Sequence, residues 1–233
     1  MIIISLLSCD SRTEQGEYHE LSFAKQADAE GYLGDASCVS CHQEAFKSWQ
    51  GSHHDLAMQY VTEESVLGNF DSIHASLDGV NYLFFRKGID YYVKIKEIDG
   101  SENEYKITYV FGLTPLQQYI VDFPNGKKQV LRVSWDSLKN KWFHQYAGDR
   151  IIVNDWLHWT RGAQNWNTMC AECHSTNLKK NYFVEKDSFH TTYSSINVSC
   201  ESCHGPGLKH VSWANSDQSE KNNWVIMGQD QNT

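Results

Sequence analysis

Cys200-Glu-Ser-Cys203-His204 is the third occurrence of one pattern, after Cys38-Val-Ser-Cys41-His42 and Cys170-Ala-Glu-Cys173-His174. Each is Cys-x-x-Cys-His, and together they take six of the seven cysteines, leaving Cys9 outside any pair. Two thiols at this spacing reach the two vinyl groups along one edge of a haem and form thioethers. The next residue, an imidazole, then ligates iron from below the ring. A Cys-x-x-Cys alone also suits a redox pair or half a zinc site. Neither accounts for a histidine directly after all three pairs, and an odd number of pairs leaves one without a zinc partner. The expected cofactor is therefore haem c, three copies covalently bound, on Cys38, Cys41, Cys170, Cys173, Cys200 and Cys203. The proximal iron ligands are then His42, His174 and His204.

The chemistry also fixes a compartment, because thioether attachment is made on the outer side of an energised membrane. The expected location is periplasmic or at the cell surface. The opening Met1-Ile-Ile-Ile-Ser-Leu-Leu-Ser-Cys9 is apolar and is followed by a polar run. It lacks the basic residues that open an export signal and reads as the end of a lipoprotein leader, with Cys9 as the lipidated residue. Membrane attachment would come through that lipid, since no segment approaches the roughly 20 apolar residues of a transmembrane helix. A formal net charge of −9 excludes the concentrated basic face of a nucleic-acid binder. It suits redox partner proteins with basic docking surfaces.

Sixth ligands should come from the remaining histidines. His54 follows His42 by twelve residues on a helix expected over Glu44 to Tyr60, weakened at Gly51. That is about 18 Å of axial rise, so His54 must reach a neighbouring haem. His53 is its adjacent competitor. His210 follows His204 through Gly205-Pro-Gly207, too tightly to pass round the same porphyrin, and is expected to serve another haem as well. His158, within Asp155-Trp-Leu-His-Trp159, is the third candidate and His144 the reserve, while His19, His74 and His190 read as ordinary surface or core imidazoles. Trp49, Trp156, Trp159, Trp166 and Trp213 suit either porphyrin contact or core packing.

Between the haem motifs the texture changes. Residues 80 to 146 carry short β-branched and aromatic runs punctuated by Asp99-Gly100 and Asn125-Gly126, dipeptides of tight turns. Strands are expected at 80–86, 90–98, 104–111, 116–122, 128–135 and 141–146. The fold class that follows is α+β, a haem-organised helix-and-loop cytochrome region with an inserted antiparallel β-rich module. Its expected segments are a leader remnant at 1–9 and a polar tether at 10–34, then a first haem-binding segment at 35–79. The β-rich insert at 80–147 and a second and third haem-binding segment at 148–233 complete it.

The motifs and their order resemble the multihaem cytochromes related to the tetrahaem electron acceptor of hydroxylamine oxidoreductase, in particular larger bacterial relatives with C-terminal tetratricopeptide repeats. The resemblance rests on Cys38-Val-Ser-Cys41-His42 followed by Trp49-Gln-Gly-Ser52-His-His54-Asp-Leu-Ala-Met58, and on Pro115-Leu-Gln-Gln-Tyr119 with Phe123-Pro-Asn-Gly126. It continues through Gln164-Asn-Trp-Asn167 before Cys170, and Cys200 to Gly207 with His210. It implies that the Ser-x-His after the first motif, here Ser52 and His54, supplies a distal ligand, which favours His54 over His53. Such relatives continue to a further haem motif and helical repeats. The chain stops at Thr233 without either, which implies a truncated product.

The function expected is electron transfer through closely spaced, mostly bis-His haems. One alternative is a haem enzyme acting on a small nitrogen or sulfur species at an open iron, with Arg150, Arg161 or a tyrosine holding an anion. Another is a redox-sensing or partner-binding module that uses the β-rich insert.

Overall fold

The computed structural model describes residues 30–216; Cys9, His19 and the leader and most of the tether expected before residue 30 lie outside the described residues. The first haem motif is followed by helix α1 (Gln43–Trp49), which ends well short of the expected Tyr60. Gln50 turns to an extended conformation and Gly51 takes φ +73°, a left-handed conformation that glycine adopts without steric cost. The Asp55 carboxylate then accepts from the Gly51 N–H at 2.9 Å, and Ser52 Oγ accepts from the His54 N–H at 3.2 Å. Side-chain acceptors thus replace the helical carbonyls. The helix-rise argument for His54 accordingly fails, because no helix connects it to His42.

The chain next enters a sheet. Strand β1 (Met58–Tyr60) pairs with a later strand, setting Met58 opposite Phe111. The following strands are β2 (Ile73–Leu77), β3 (Val80–Lys87), β4 (Asp90–Lys96), β5 (Glu102–Phe111) and β6 (Leu116–Asp122). After them come β7 (Lys128–Val130), β8 (Val133–Asp136) and β9 (Lys141–His144). They form one antiparallel sheet in the order β2-β3-β4-β5-β6-β8-β9, with β1 added to β5 and β7 to β6. The six expected strands are all present. The run expected at 128–135 is divided in two, and β1 and β2 were not anticipated.

The sheet curls until its two ends nearly meet, making an almost closed barrel. Phe84 of β3 stacks on Trp142 of β9 at 3.7 Å between ring centres and 3° between planes. Inward positions alternate along the strands, as in Val80, Tyr82 and Phe84 or Tyr91, Val93 and Ile95, all buried. Phe70 closes the interior, meeting Phe84, Tyr91, Tyr119 and Trp142 edge-on at 5.1–5.6 Å. That geometry is favoured by the ring quadrupoles.

The rest of the described chain is short helices and loops packed on the outside of the barrel: α2 (Trp166–Met169), α3 (Ala171–His174), the hairpin β10 (Tyr182–Phe183) and β11 (Ser188–Phe189), α4 (Cys200–His204) and α5 (Leu208–Ala214). A second apolar cluster joins them to the barrel, with Met58, Phe111, Ile120 and Val130 from the sheet against Trp166 and Ala171. The polar side of this joint is equally specific. Asn167 accepts from the Lys128 N–H at 2.8 Å and donates to the Gly126 carbonyl at 3.1 Å. Gly126 has φ +70°, and a Cβ there would stand 2.1 Å from the Phe189 carbonyl oxygen, so no other residue fits this crossing. Among the described residues no helix is long and apolar enough to cross a membrane.

Candidate haem sites

Each Cys-x-x-Cys-His forms one helical turn. The His42 N–H donates to the Cys38 carbonyl at 2.9 Å, and the His174 N–H to the Cys170 carbonyl at 3.2 Å, while the third motif is helix α4 itself. Positions i, i+3 and i+4 share one face of a helical turn, so both sulfurs and the imidazole project together. Cys41, Cys173 and Cys203 are exposed, as are His42 and His204, and an open cleft of about 550 Å³ runs beside Ser40, Cys41, His42 and Glu44. These donor sets, facing outward on one face of a turn, fit a large flat group attached by two thioethers. A zinc site would instead need several sulfurs to converge. Among the described residues no group of three or more Cys, His, Asp or Glu does so.

The surroundings prepare the ligands. His174 Nδ1 lies 3.1 Å from the Ala57 carbonyl oxygen, which fixes the ring and leaves Nε2 free for a metal. Phe111 meets the same ring edge-on at 5.1 Å. Burial pushes the Cys170 thiol up to about 11. Cys38 and Cys200, first cysteines of different motifs, influence each other as free thiols, the Cys38 pKa being lowered and that of Cys200 raised. The Asp35 carboxylate accepts from the Cys200 N–H at 2.8 Å, and burial raises its own pKa.

Motif 3 is consequently fastened to both of the others. Toward motif 1 run the Asp35–Cys200 contact and the Trp49 Nε1–H bond to the Val198 carbonyl at 3.0 Å. Toward motif 2, the buried Thr176 hydroxyl lies 2.6 Å from Ser202 Oγ, donates to the Asn197 carbonyl at 2.8 Å and accepts from the Ser199 N–H at 3.0 Å. Motif 3, last in the chain, thus bonds to the surroundings of both other motifs.

The expected distal histidines divide into two groups. His210, on α5, sets its ring 6.0 Å from that of His42, with 29° between planes, and Trp213 flanks it at 5.8 Å. Exposed His54 and His53 lie in the turn after α1, and the His54 carbonyl accepts from the Val198 N–H at 3.2 Å, just ahead of Cys200. His144 and His158 belong elsewhere. His144 is 3% exposed, with Nε2 2.7 Å from the Tyr82 hydroxyl and Nδ1 2.9 Å from Asp78, so both nitrogens are engaged inside the barrel. His158 is 5% exposed, with Nδ1 2.9 Å from Thr160 Oγ1 and Nε2 3.9 Å from Glu97. His144 has no free lone pair to offer iron, because both of its nitrogens are engaged, and His158 is buried with Nδ1 held by Thr160.

The tryptophans divide likewise. Trp159 and Trp166 are buried in the two apolar clusters and are core residues, whereas Trp156 is exposed. Arg161, considered as an anion ligand, donates instead to the Val153 carbonyl and to Asn154. Asp35, Thr176 and Glu201 escaped the sequence-level search. Each acts through backbone groups far away in the chain, which leaves no local signature.

The family described as cytochrome c554 and c-prime matches residues 37–75 and 152–205, the two stretches that carry the three motifs. No curated protein matches the chain at a meaningful level. Among solved structures, the crystal structure of outer cell wall cytochrome OcwA superposes over 86% of this chain with a TM-score of 0.51 and 22% identity. The chain spans 35% of that protein's length, and at this identity the likeness is one of fold. The family match over the motif-bearing stretches supports a c-type cytochrome with covalently bound haem that transfers electrons.

Proposed function

We propose that the protein is an extracytoplasmic electron carrier holding three haems c on Cys38/Cys41, Cys170/Cys173 and Cys200/Cys203, with His42, His174 and His204 as proximal ligands. Bound haem supplies reversible one-electron chemistry at iron, and the protein sets its ligands, spacing and exposure. The observation that carries this is the contact between the surroundings of the three motif turns: motif 3 bonds to the first haem segment through Asp35 and Trp49, and to the residues after motif 2 through Thr176. Cofactors attached at neighbouring turns lie close enough to pass electrons from one to the next.

His210 would supply the second ligand of the haem that His42 would hold. Two imidazoles bound across one metal at roughly 2 Å per bond hold their ring centres about 6 Å apart, which is the separation found. His54 serves a haem other than that of motif 1, and it sits beside the segment leading into motif 3. The acidic surface suits a basic redox partner, and lipidation at Cys9 would hold the carrier at a membrane or cell surface. Low-temperature EPR of the oxidised holoprotein tests the reading. Dominant low-spin signals are expected, and a dominant high-spin signal would overturn bis-His ligation.

One observation favours a second reading. With His158 buried and held by Thr160, one expected distal ligand is withdrawn, and an open iron on one of the three motifs would bind a small nitrogen or sulfur species. Binding of nitric oxide or cyanide to a single haem, followed by turnover with nitrite or hydroxylamine, would favour this enzyme over a pure carrier.

A further inference from the structure

Within the third motif, the residue after the first cysteine is a glutamate that the haem chemistry leaves unused. Glu201 is 4% exposed, and no cation among the described residues pairs with it. Its carboxylate is satisfied by three backbone N–H groups. Leu33 donates to both oxygens at 2.9 and 3.1 Å, Gly34 to Oε2 at 2.8 Å and Gly207 to Oε1 at 2.7 Å. Charge-assisted bonds of this kind are stronger than neutral ones, and removing an acceptor strands the buried donors.

The three donors come from two places that matter to one haem. Leu33 and Gly34 lead directly into the turn of Cys38 to His42. Gly207 is the residue from which α5 starts, and α5 carries His210. A further bond, from the Leu208 N–H to the Gly31 carbonyl at 3.1 Å, joins the same two segments. One carboxylate on α4 therefore holds both the proximal and the distal side of the first haem site.

We propose that Glu201 is a positioning residue that sets the His42 and His210 rings opposite each other, and so fixes the axial ligation of a haem attached to a different motif from its own. A carboxylate is required, because both oxygens must accept. In Glu201→Gln one oxygen becomes an amide NH₂, which faces a backbone N–H whichever way the group is turned, and either Gly34 or Gly207 loses its acceptor.

The proposal rests on His210 closing the haem of motif 1, so two variants of the holoprotein are compared by EPR and by carbon monoxide binding to the reduced form. His210→Ala should convert one haem to a high-spin, ligand-binding state. Glu201→Gln should convert part of the same haem, with all three haems still attached by mass. Glu201→Asp, which keeps two accepting oxygens, should restore part of the low-spin signal. A Glu201→Gln spectrum identical to wild type beside an altered His210→Ala overturns the positioning role. An unaltered His210→Ala overturns the axial assignment, and the proposal with it. If Glu201→Gln yields no holoprotein, Gly207→Ala decides. A Cβ there meets Glu201 Oε1 at 3.2 Å and crowds the clamp without removing charge. A partial loss of the same low-spin signal is expected, and an unchanged spectrum overturns the role.

Discussion

The imidazoles of His42 and His210 face each other 6.0 Å apart, though one follows the first motif's cysteines directly and the other lies on the last described helix. Since His210 stands beside His42 and not beside His204, replacing it should affect the haem on Cys38 and Cys41 alone. His210→Met is expected to keep that haem low-spin and raise its midpoint potential, because a thioether ligand favours ferrous iron. Redox titration should show one of the three components moving upward while the others stay in place.

His158 provides the contrasting case. His158→Asn should leave every haem spectrum unchanged and lower stability by about 1–3 kcal/mol, through the lost bond to Thr160 and the vacated space beside Trp159. A new high-spin species in this variant would restore His158 as an iron ligand.

The link between motifs 2 and 3 depends on Thr176. Thr176→Val keeps the shape but removes the hydroxyl that serves the Asn197 carbonyl, Ser202 and the Ser199 N–H in a buried position. A loss of about 2–4 kcal/mol is expected, from two or three polar groups left unpaired. Denaturant unfolding of the holoprotein, followed by the loss of the low-spin Soret band, would measure it.

The barrel closes partly through a polar joint that responds to acid. His144 is held neutral by burial, its pKa lowered, while it bonds to Asp78, whose pKa is lowered by that bond; Tyr82, Arg132 and Glu97 complete its charged and polar surroundings. Both shifts act in the same direction. A depressed folded pKa contributes stability that is present above the unfolded value and lost as pH falls through the folded one. Unfolding should therefore become easier below the usual histidine value of 6.5, and again below 3.8 as Asp78 protonates. His144→Phe should abolish the upper step, and the same step persisting in that variant would place its origin elsewhere.

What the sequence made legible were features written in neighbouring residues. The Cys-x-x-Cys-His turns and the alternating strands from Val80 to His144 carry their periods locally, and they appear within a few residues of expectation. The helix after His42 was overextended because Leu56, Ala57 and Met58 fit a helical stripe equally well. Met58 is claimed instead by Phe111, a residue far along the chain, and Gly51 allows the break. His158, and His144 in reserve, stood beside His210 as candidates because nothing in one dimension distinguishes an imidazole held by Asp78 and Tyr82 from one facing a motif histidine. Glu201 and Thr176 were invisible for the same reason, since their partners are backbone groups brought near only by folding.

The central claim is that all three motif turns carry haem. The intact mass of the mature holoprotein, compared with the same chain bearing Cys-to-Ser changes in each motif in turn, tests it most directly. A wild-type mass exceeding the polypeptide by three haems, falling by one with each altered motif, is the predicted result. A wild-type increment of two haems or fewer, or a mass matching bound zinc, would contradict it.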